Sequence, residues 1–226
     1  MKRDGDEAAK RRAGESAAAT VEDGMVVGLG TGSTTAHAIR ALGRAVDDGI
    51  DVAGIPTSYQ TRALAQGAGV PLTSLSEGTP DVAIDGADQV VGGTLVKGGG
   101  AAHAREKVVD AAAERLVVVV DEEKLADGVD AAVPIEVLPA ARPTVASAVR
   151  ALGGDPDLRA AAQKDGPVVT DNGNLVVDVD FGRIATPDDL AREIAALPGV
   201  VEHGLFVDLV DEIHVGSAVG VEVREF

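Results

Sequence analysis

Four short β-branched runs constrain the fold of this chain more than any other feature of it. They are MVVGLG (25–30), DVAGIP (51–56), DVAIDGAD (81–88) and RLVVVVD (115–121). Helical patterns lie between them: STTAHAIRALGRAV (33–46), TSYQTRALAQ (57–66) and AAHAREKVVDAAA (101–113), with the alanine-rich EAAKRRAGESAAATV (7–21) ahead of the first. Apolar runs alternating with helices across short loops predict a parallel sheet covered on both faces. The expected class is therefore α/β, a Rossmann-like, open, mostly parallel sheet with helices on both sides. Ser33 stands where its hydroxyl would cap the helix over 33–46. The alanine stripe of the first helix is expected to face the core.

The pattern changes after about residue 130. ARPTVASAVRALGG (141–154) reads as a helix ending at Gly153 and Gly154, and PVVTDNGNLVVDVDF (167–181) as two strands about an Asn-Gly turn. TPDDLAREIAALPGV (186–200) reads as a capped helix with a proline in its first turn. These elements predict a small α+β, ferredoxin-like domain over 131–205. Residues 1–130 and 206–226 then make up the larger domain, with DEIHVGSAVGVEV (211–223) returning to its sheet.

Composition removes several classes of function. There is no cysteine, so disulfide and thiolate chemistry are excluded. No apolar stretch reaches the ~18 residues of a membrane span, and MKRDGDEAAKRR has no apolar signal core. A cytoplasmic setting is expected. The net charge of −17 repels nucleic-acid phosphates, so no nucleic-acid partner is expected. The same acidity, with abundant alanine and valine, suits a protein adapted to high salt.

Three segments carry possible chemistry. GLGTGSTT (28–35) joins a strand to a helix, where glycines and helix N–H groups accept an anion. Gly28, Gly30 and Gly32 miss the dinucleotide spacing, because Ser33 occupies the third glycine's place, and no Gly-Lys-Ser/Thr follows. Thr31, Ser33 and Thr34 offer hydroxyls suited to a compact phosphate, although a tight turn binding nothing would use the same glycines. DGAD (85–88) lies at the carboxyl end of a strand, where open α/β sheets bind ligands. Asp85 and Asp88 flank Gly86 and Ala87, so the backbone can turn and both carboxylates can face one crevice. Solvated charges on an ordinary turn would look alike. KGGGAAHAREK (97–107) holds Lys97, the bare amides of Gly98, Gly99 and Gly100, and Glu106 in the helix that follows. A cation and amide donors beside a carboxylate base are the equipment for removing a proton next to a carbonyl. Taken alone, Glu106 reads as a surface residue. The histidines at 37, 103, 203 and 214 are scattered, and His103 with Glu106 lacks a third ligand, so no metal is expected.

With these three segments in this order, joined by VTDNGN (169–174) and PGVVEHGLF (198–206), the chain resembles ribose-5-phosphate isomerases of the A type from about residue 10 to residue 216. The resemblance implies an aldose–ketose isomerase that interconverts ribose 5-phosphate and ribulose 5-phosphate without a metal or organic cofactor. It implies Glu106 as the base, with Asp85, Asp88 and Lys97 also catalytic. Substrate would be held by Thr31, Gly32, Ser33 and Thr34, by Asp85 to Asp88, by Lys97 to Gly100, and by Lys124 and Lys10. It also implies a homodimer or homotetramer. Two departures stand out: Gln89 where the acidic motif usually ends in glutamate, and His103-Ala104 where Leu-Thr is usual. The rivals are an amino-sugar-phosphate isomerase/deaminase and a non-catalytic sugar-phosphate sensor, though a sensor has no use for a base.

Overall fold

Residues 6–226 are described by a computed structural model, and the parallel sheet expected from the four β-branched runs is present in it. In chain order the elements begin α1 (Glu7–Ala18), β1 (Val26–Leu29), α2 (Ser33–Asp47), β2 (Ala53–Pro56), α3 (Tyr59–Gly67), β3 (Val82–Asp85), β4 (Gln89–Val91) and β5 (Thr94–Val96). Then come α4 (His103–Asp110), β6 (Leu116–Asp121), β7 (Val133–Val137), α5 (Arg142–Ala151), β8 (Asp155–Leu158) and β9 (Leu175–Asp180). The last are α6 (Pro187–Ala195), β10 (Val200–His203), β11 (Leu205–Phe206), β12 (Glu212–Gly216) and β13 (Val221–Glu225). The chain divides into two compact units.

The larger unit comprises residues up to Ala87, Arg105–Leu125 and Leu209–Phe226. Its six strands run in the order β13-β12-β6-β3-β1-β2. Every neighbouring pair is parallel except β12 with β13, so the 211–223 segment does return to this sheet. All of β6 is buried, as a strand covered on both faces must be. Leu29, Ile39, Leu42 and Ile84 are essentially inaccessible, each contributing about 1.5–3 kcal/mol by leaving water. The helix α1 turns Ala9, Ala13 and Ala17 inward, the stripe its sequence suggested. Strand β1 leads through α2 to β2 on one side, while β3 lies on its other side. The winding reverses there, and at such a reversal the carboxyl ends of the strands leave room for a ligand.

The smaller unit comprises Asp88–Ala104 and Ala126–Asp208. Strand–helix–strand–strand–helix–strand order (β7, α5, β8, β9, α6, β10) folds into an antiparallel sheet ordered β10-β7-β9-β8, the split βαβ arrangement. A second sheet, β11-β5-β4, belongs to the same unit. Residues 88–104, expected with the larger domain, therefore group here instead. The reason is pairing: β4 and β5 bond to each other and β5 to β11, and neither joins the parallel sheet.

Local chemistry also departs from expectation at three points. Gly32 is the N-cap of α2 and makes no side-chain cap, so Ser33 is the first helical residue rather than the cap. Thr186 is the N-cap of α6, but its hydroxyl makes no capping bond. Around Asn172-Gly173 the turn forms, yet Val169 contributes only an isolated bridge to Leu175, and β9 takes β7 and β8 as its partners. The cause is Glu136, wholly buried in β7. Its Oε1 accepts from Thr170 Oγ1 at 3.0 Å, Asn172 Nδ2 at 3.0 Å and Asn174 Nδ2 at 2.8 Å. Glu136→Ala would leave three inward-turned donors without their acceptor. A loss of about 3 kcal/mol in unfolding free energy is expected by denaturant titration. A loss below about 0.5 kcal/mol would show that these three side chains do not depend on it.

Candidate active site

In the larger unit the β1–α2 loop and the end of β3 are tied together. Gly30 donates its N–H to Ile84 O at 3.0 Å, and Thr31 N–H reaches Asp85 Oδ1 at 3.2 Å. Gly86 N–H donates to the same Oδ1 at 2.7 Å, and Asp85 is buried. This seat exists only because residue 30 has no side chain: a Cβ there would lie 1.9 Å from Asp85 Oδ1. Gly86 and Ala87, which complete the turn, are half-buried.

Thr31 was expected to offer its hydroxyl to a ligand, and the structure engages it elsewhere. Its Oγ1 lies 3.0 Å from Thr57 Oγ1, 2.8 Å from Ser58 Oγ and 3.1 Å from Thr61 Oγ1. A hydroxyl has one donor and two acceptor positions, so these neighbours fill it. Thr57, Ser58 and Thr61 were not singled out from the sequence; three hydroxyls in TSYQT at a helix start were the available signal. The neighbouring groups differ. Gly32 and Ser33 are exposed and Thr34 sits just inside, at the start of a helix whose first turn has no side-chain cap. Such a helix start accepts an anion through its unpaired N–H groups and its dipole.

The other expected residues of this unit are placed as follows. Glu106 is buried in the first turn of α4, and the guanidinium of its neighbour in sequence, Arg105, stacks 5.1 Å from the centroid of the Tyr59 ring. Lys124 is half-buried and ends the single 3-10 turn after β6, which Asp121 caps through Glu123 N–H. Lys10 is buried in α1, and its Nζ lies 3.2 Å from Glu7 Oε1. That hydrogen bond, and next the one to His37, hold the Glu7 carboxyl below its ordinary value. The ammonium expected near a phosphate is thus turned onto an exposed glutamate.

In the smaller unit Asp88 opens into the β4–β5 hairpin, its N–H donating to Val96 O at 2.8 Å. Lys97 follows β5 and is buried, its own N–H donating to Gly204 O at 2.8 Å. The ammonium sits 5.3 Å from the centroid of the Phe206 ring, whose face attracts a cation. Phe206 closes the PGVVEHGLF segment, and it escaped notice because nothing local ties residue 206 to residue 97. Gly98 has φ +106°, a conformation open to glycine, and Ala101 is held at φ +59°. Gly99 N–H donates to Asp88 Oδ2 at 2.6 Å, and Gly100 is exposed. Arg159 and Asp178, also unremarked in the sequence, stand behind this loop: Arg159 Nη1 donates to Gly98 O at 2.7 Å and its Nε to Asp178 at 2.7 Å. His103 Nε2 lies 3.4 Å from Glu202 O.

The larger unit thus supplies an anion-accepting helix start and two buried carboxylates, Asp85 and Glu106. The smaller supplies a buried cation and a third carboxylate held by a glycine amide. A helix start of this kind suits a phosphate, a buried carboxylate suits proton transfer, and a buried cation suits a developing oxyanion.

Comparison with known proteins points the same way. The family described as Ribose 5-phosphate isomerase A (phosphoriboisomerase A) matches residues 53–220. The chain is 67% identical to the ribose-5-phosphate isomerase A of Natronomonas pharaonis, across 97% of this chain and 98% of that one. It is 64% identical to that of Haloarcula marismortui, across 99% and 98%. Among solved structures, ribose 5-phosphate isomerase A from Methanocaldococcus jannaschii superposes with a TM-score of 0.92 at 43% identity, covering 96% of this chain and 98% of that one. A D-ribose-5-phosphate isomerase in complex with phospho-erythronic acid superposes with a TM-score of 0.93, also at 43% identity, covering 96% and 97%.

Proposed function

The chain belongs to the ribose 5-phosphate isomerase A family, and on that premise we propose that it interconverts ribose 5-phosphate and ribulose 5-phosphate with Glu106 as the proton-moving base. The observation that carries the assignment of the base is the burial of Glu106 within the segment that also holds Lys97, likewise buried. Charged side chains are seldom buried without a task or a partner. The related enzyme solved with phospho-erythronic acid supports the chemistry. That ligand carries an anionic carboxylate on a phosphorylated carbon chain, beside a hydroxyl-bearing carbon, as an enediolate carries an anionic oxygen beside a second oxygen-bearing carbon.

The steps follow from the groups. The uncapped start of α2 and Lys124 hold the phosphate, and remote binding of this kind orients the reacting carbons. Asp85 or Asp88 moves a proton between hydroxyl and ring oxygen to open the furanose. Glu106 takes the proton from C2 of the aldehyde, leaving a 1,2-enediolate. The C2 hydroxyl proton passes to the C1 oxygen, and the Glu106 carboxyl, after exchange with solvent, delivers a proton to C1 while the C2 oxygen becomes the ketone carbonyl. Negative charge on the enediolate oxygen is met by Lys97, whose desolvation on the Phe206 ring strengthens its pull. One proton leaves C2 and one arrives at C1, so atoms and electrons balance with no cofactor. The family reading also supports a homodimer or homotetramer acting in the cytoplasm. Among the described residues no helix is long and apolar enough to cross a membrane.

The test is incubation with ribose 5-phosphate in deuterated water at molar salt, followed by nuclear magnetic resonance. Ketose formation with deuterium at C1 is expected. Ammonia release from glucosamine 6-phosphate without ketose formation would point to the deaminase, and saturable binding without turnover to a sensor.

A further inference from the structure

The loop that follows Lys97 contains two left-handed residues, Gly98 at φ +106° and Ala101 at φ +59°. Glycine takes such an angle freely, but a left-handed alanine persists only where its surroundings overdetermine it. One peptide unit shows how. Gly98 C=O and Gly99 N–H belong to the same rigid plane. At one end Arg159 Nη1 donates to Gly98 O at 2.7 Å, and at the other Gly99 N–H donates to Asp88 Oδ2 at 2.6 Å. Gly98 O also accepts from Ala101 N at 2.9 Å, so both of its lone pairs are in use. A cation therefore sits at the negative end of the peptide dipole and a carboxylate at the positive end, an order in which each bond polarises and strengthens the other.

The cation is itself fixed. Arg159 Nε donates to Asp178 Oδ2 at 2.7 Å while Nη2 pairs with Asp178 Oδ1, a two-pronged grip on a guanidinium that is mostly out of solvent. Asp178 lies on β9, in the middle of a paired strand, so the chain of bonds is anchored in the antiparallel sheet. Residues 88, 98, 99, 159 and 178 all belong to the smaller unit.

We propose that Arg159, oriented by Asp178, is a positioning residue for the reaction: through the Gly98–Gly99 peptide it sets the direction of the Asp88 carboxylate and of the glycine loop. This rests on the reading of Asp88 as a group that touches substrate. Arginine is required for the geometry, since a planar fork can grip a carboxylate and still donate to a carbonyl, whereas a lysine ammonium is a single point donor.

The experiment is steady-state kinetics with ribose 5-phosphate on the full chain, for Arg159→Ala, Arg159→Lys, Asp88→Asn and the Arg159→Ala/Asp88→Asn double variant. Rates are normalised to the folded fraction measured by circular dichroism. Arg159→Ala is expected to lose about a hundredfold in kcat, the scale of a small misplacement of catalytic groups, with KM changed by less than about threefold. Added guanidinium ion should recover part of that loss, and Arg159→Lys should recover less than tenfold of it. In the Asp88→Asn background the arginine substitution should cost little more, because the two act as a unit. Parent-like kinetics for Arg159→Ala, a loss that vanishes on normalisation, or full additivity in the double variant would overturn the proposal. Parent-like kinetics for Asp88→Asn would instead remove Asp88 from the reaction, a failure of the underlying reading that Arg159→Ala alone would not produce.

Discussion

Glu106→Gln is expected to fold as the parent does and to lose about a thousandfold in kcat, within the range a positioned general base contributes. Glutamine keeps the shape and volume of the buried side chain in the first turn of α4, so packing is preserved. It lacks the basic oxygen that, on the proposed role, takes the C2 proton. KM should change far less, because the groups proposed to anchor the phosphate, the α2 start and Lys124, are untouched. The thermal midpoint should fall within a few degrees of the parent's. Deuterium uptake at C1 is the sharper readout: it should disappear along with ketose formation. Turnover within tenfold of the parent, or label at C1 with the substitution in place, would transfer the role of base elsewhere.

Gly30→Ala is expected to do comparable damage by steric means. The added methyl would lie 1.9 Å from Asp85 Oδ1 and 2.1 Å from Asp85 Cγ, well inside any permitted contact. Asp85 cannot step aside cheaply, because it is buried and its Oδ1 accepts from both Thr31 and Gly86 N–H. Either its carboxylate turns or the β1–α2 loop lifts away from β3. A stability loss of about 2 kcal/mol is expected from overpacking, read by denaturant titration, with kcat/KM down about a hundredfold. Gly67→Ala is the matched control. Nothing lies within 4 Å of its added methyl, and residue 67 has no left-handed φ, so stability should hold or rise slightly and activity should be unchanged. If Gly30→Ala behaves like the control, Asp85 is not held as described.

The contrast between these two glycines shows what a sequence can and cannot reveal. Both positions read as glycine in a plausible place, and only the distance to Asp85 separates them. The α/β class was legible because a β-branched run buried on both faces is a local signal, repeated in β1, β2, β3 and β6. Glu106, Lys97 and the DGAD turn could be singled out because they lie in short consecutive motifs that resemble a known family, whereas the burial of Glu106, which alone reads as a surface residue, came only from the fold. The strand β8 was not legible: Asp155, Pro156, Asp157 and Leu158 carry no apolar run, and their extended form comes from pairing with β9 at the edge of a sheet. The grouping of 88–104 was equally hidden, since it depends on Leu205 and Phe206 pairing with Val96 and Leu95 far back in the chain.

From the amino-acid order alone came the alternating elements, the glycine loops and the carboxylates and lysine beside them, because propensity and spacing act over a few residues. Tertiary structure alone decided which hydroxyls seat Thr31, why TDNGN turns toward Glu136, and how Arg159 reaches Gly98 across 61 residues. Those contacts join side chains that no local pattern relates, and they exist only once the sheets have brought distant strands to hydrogen-bonding distance.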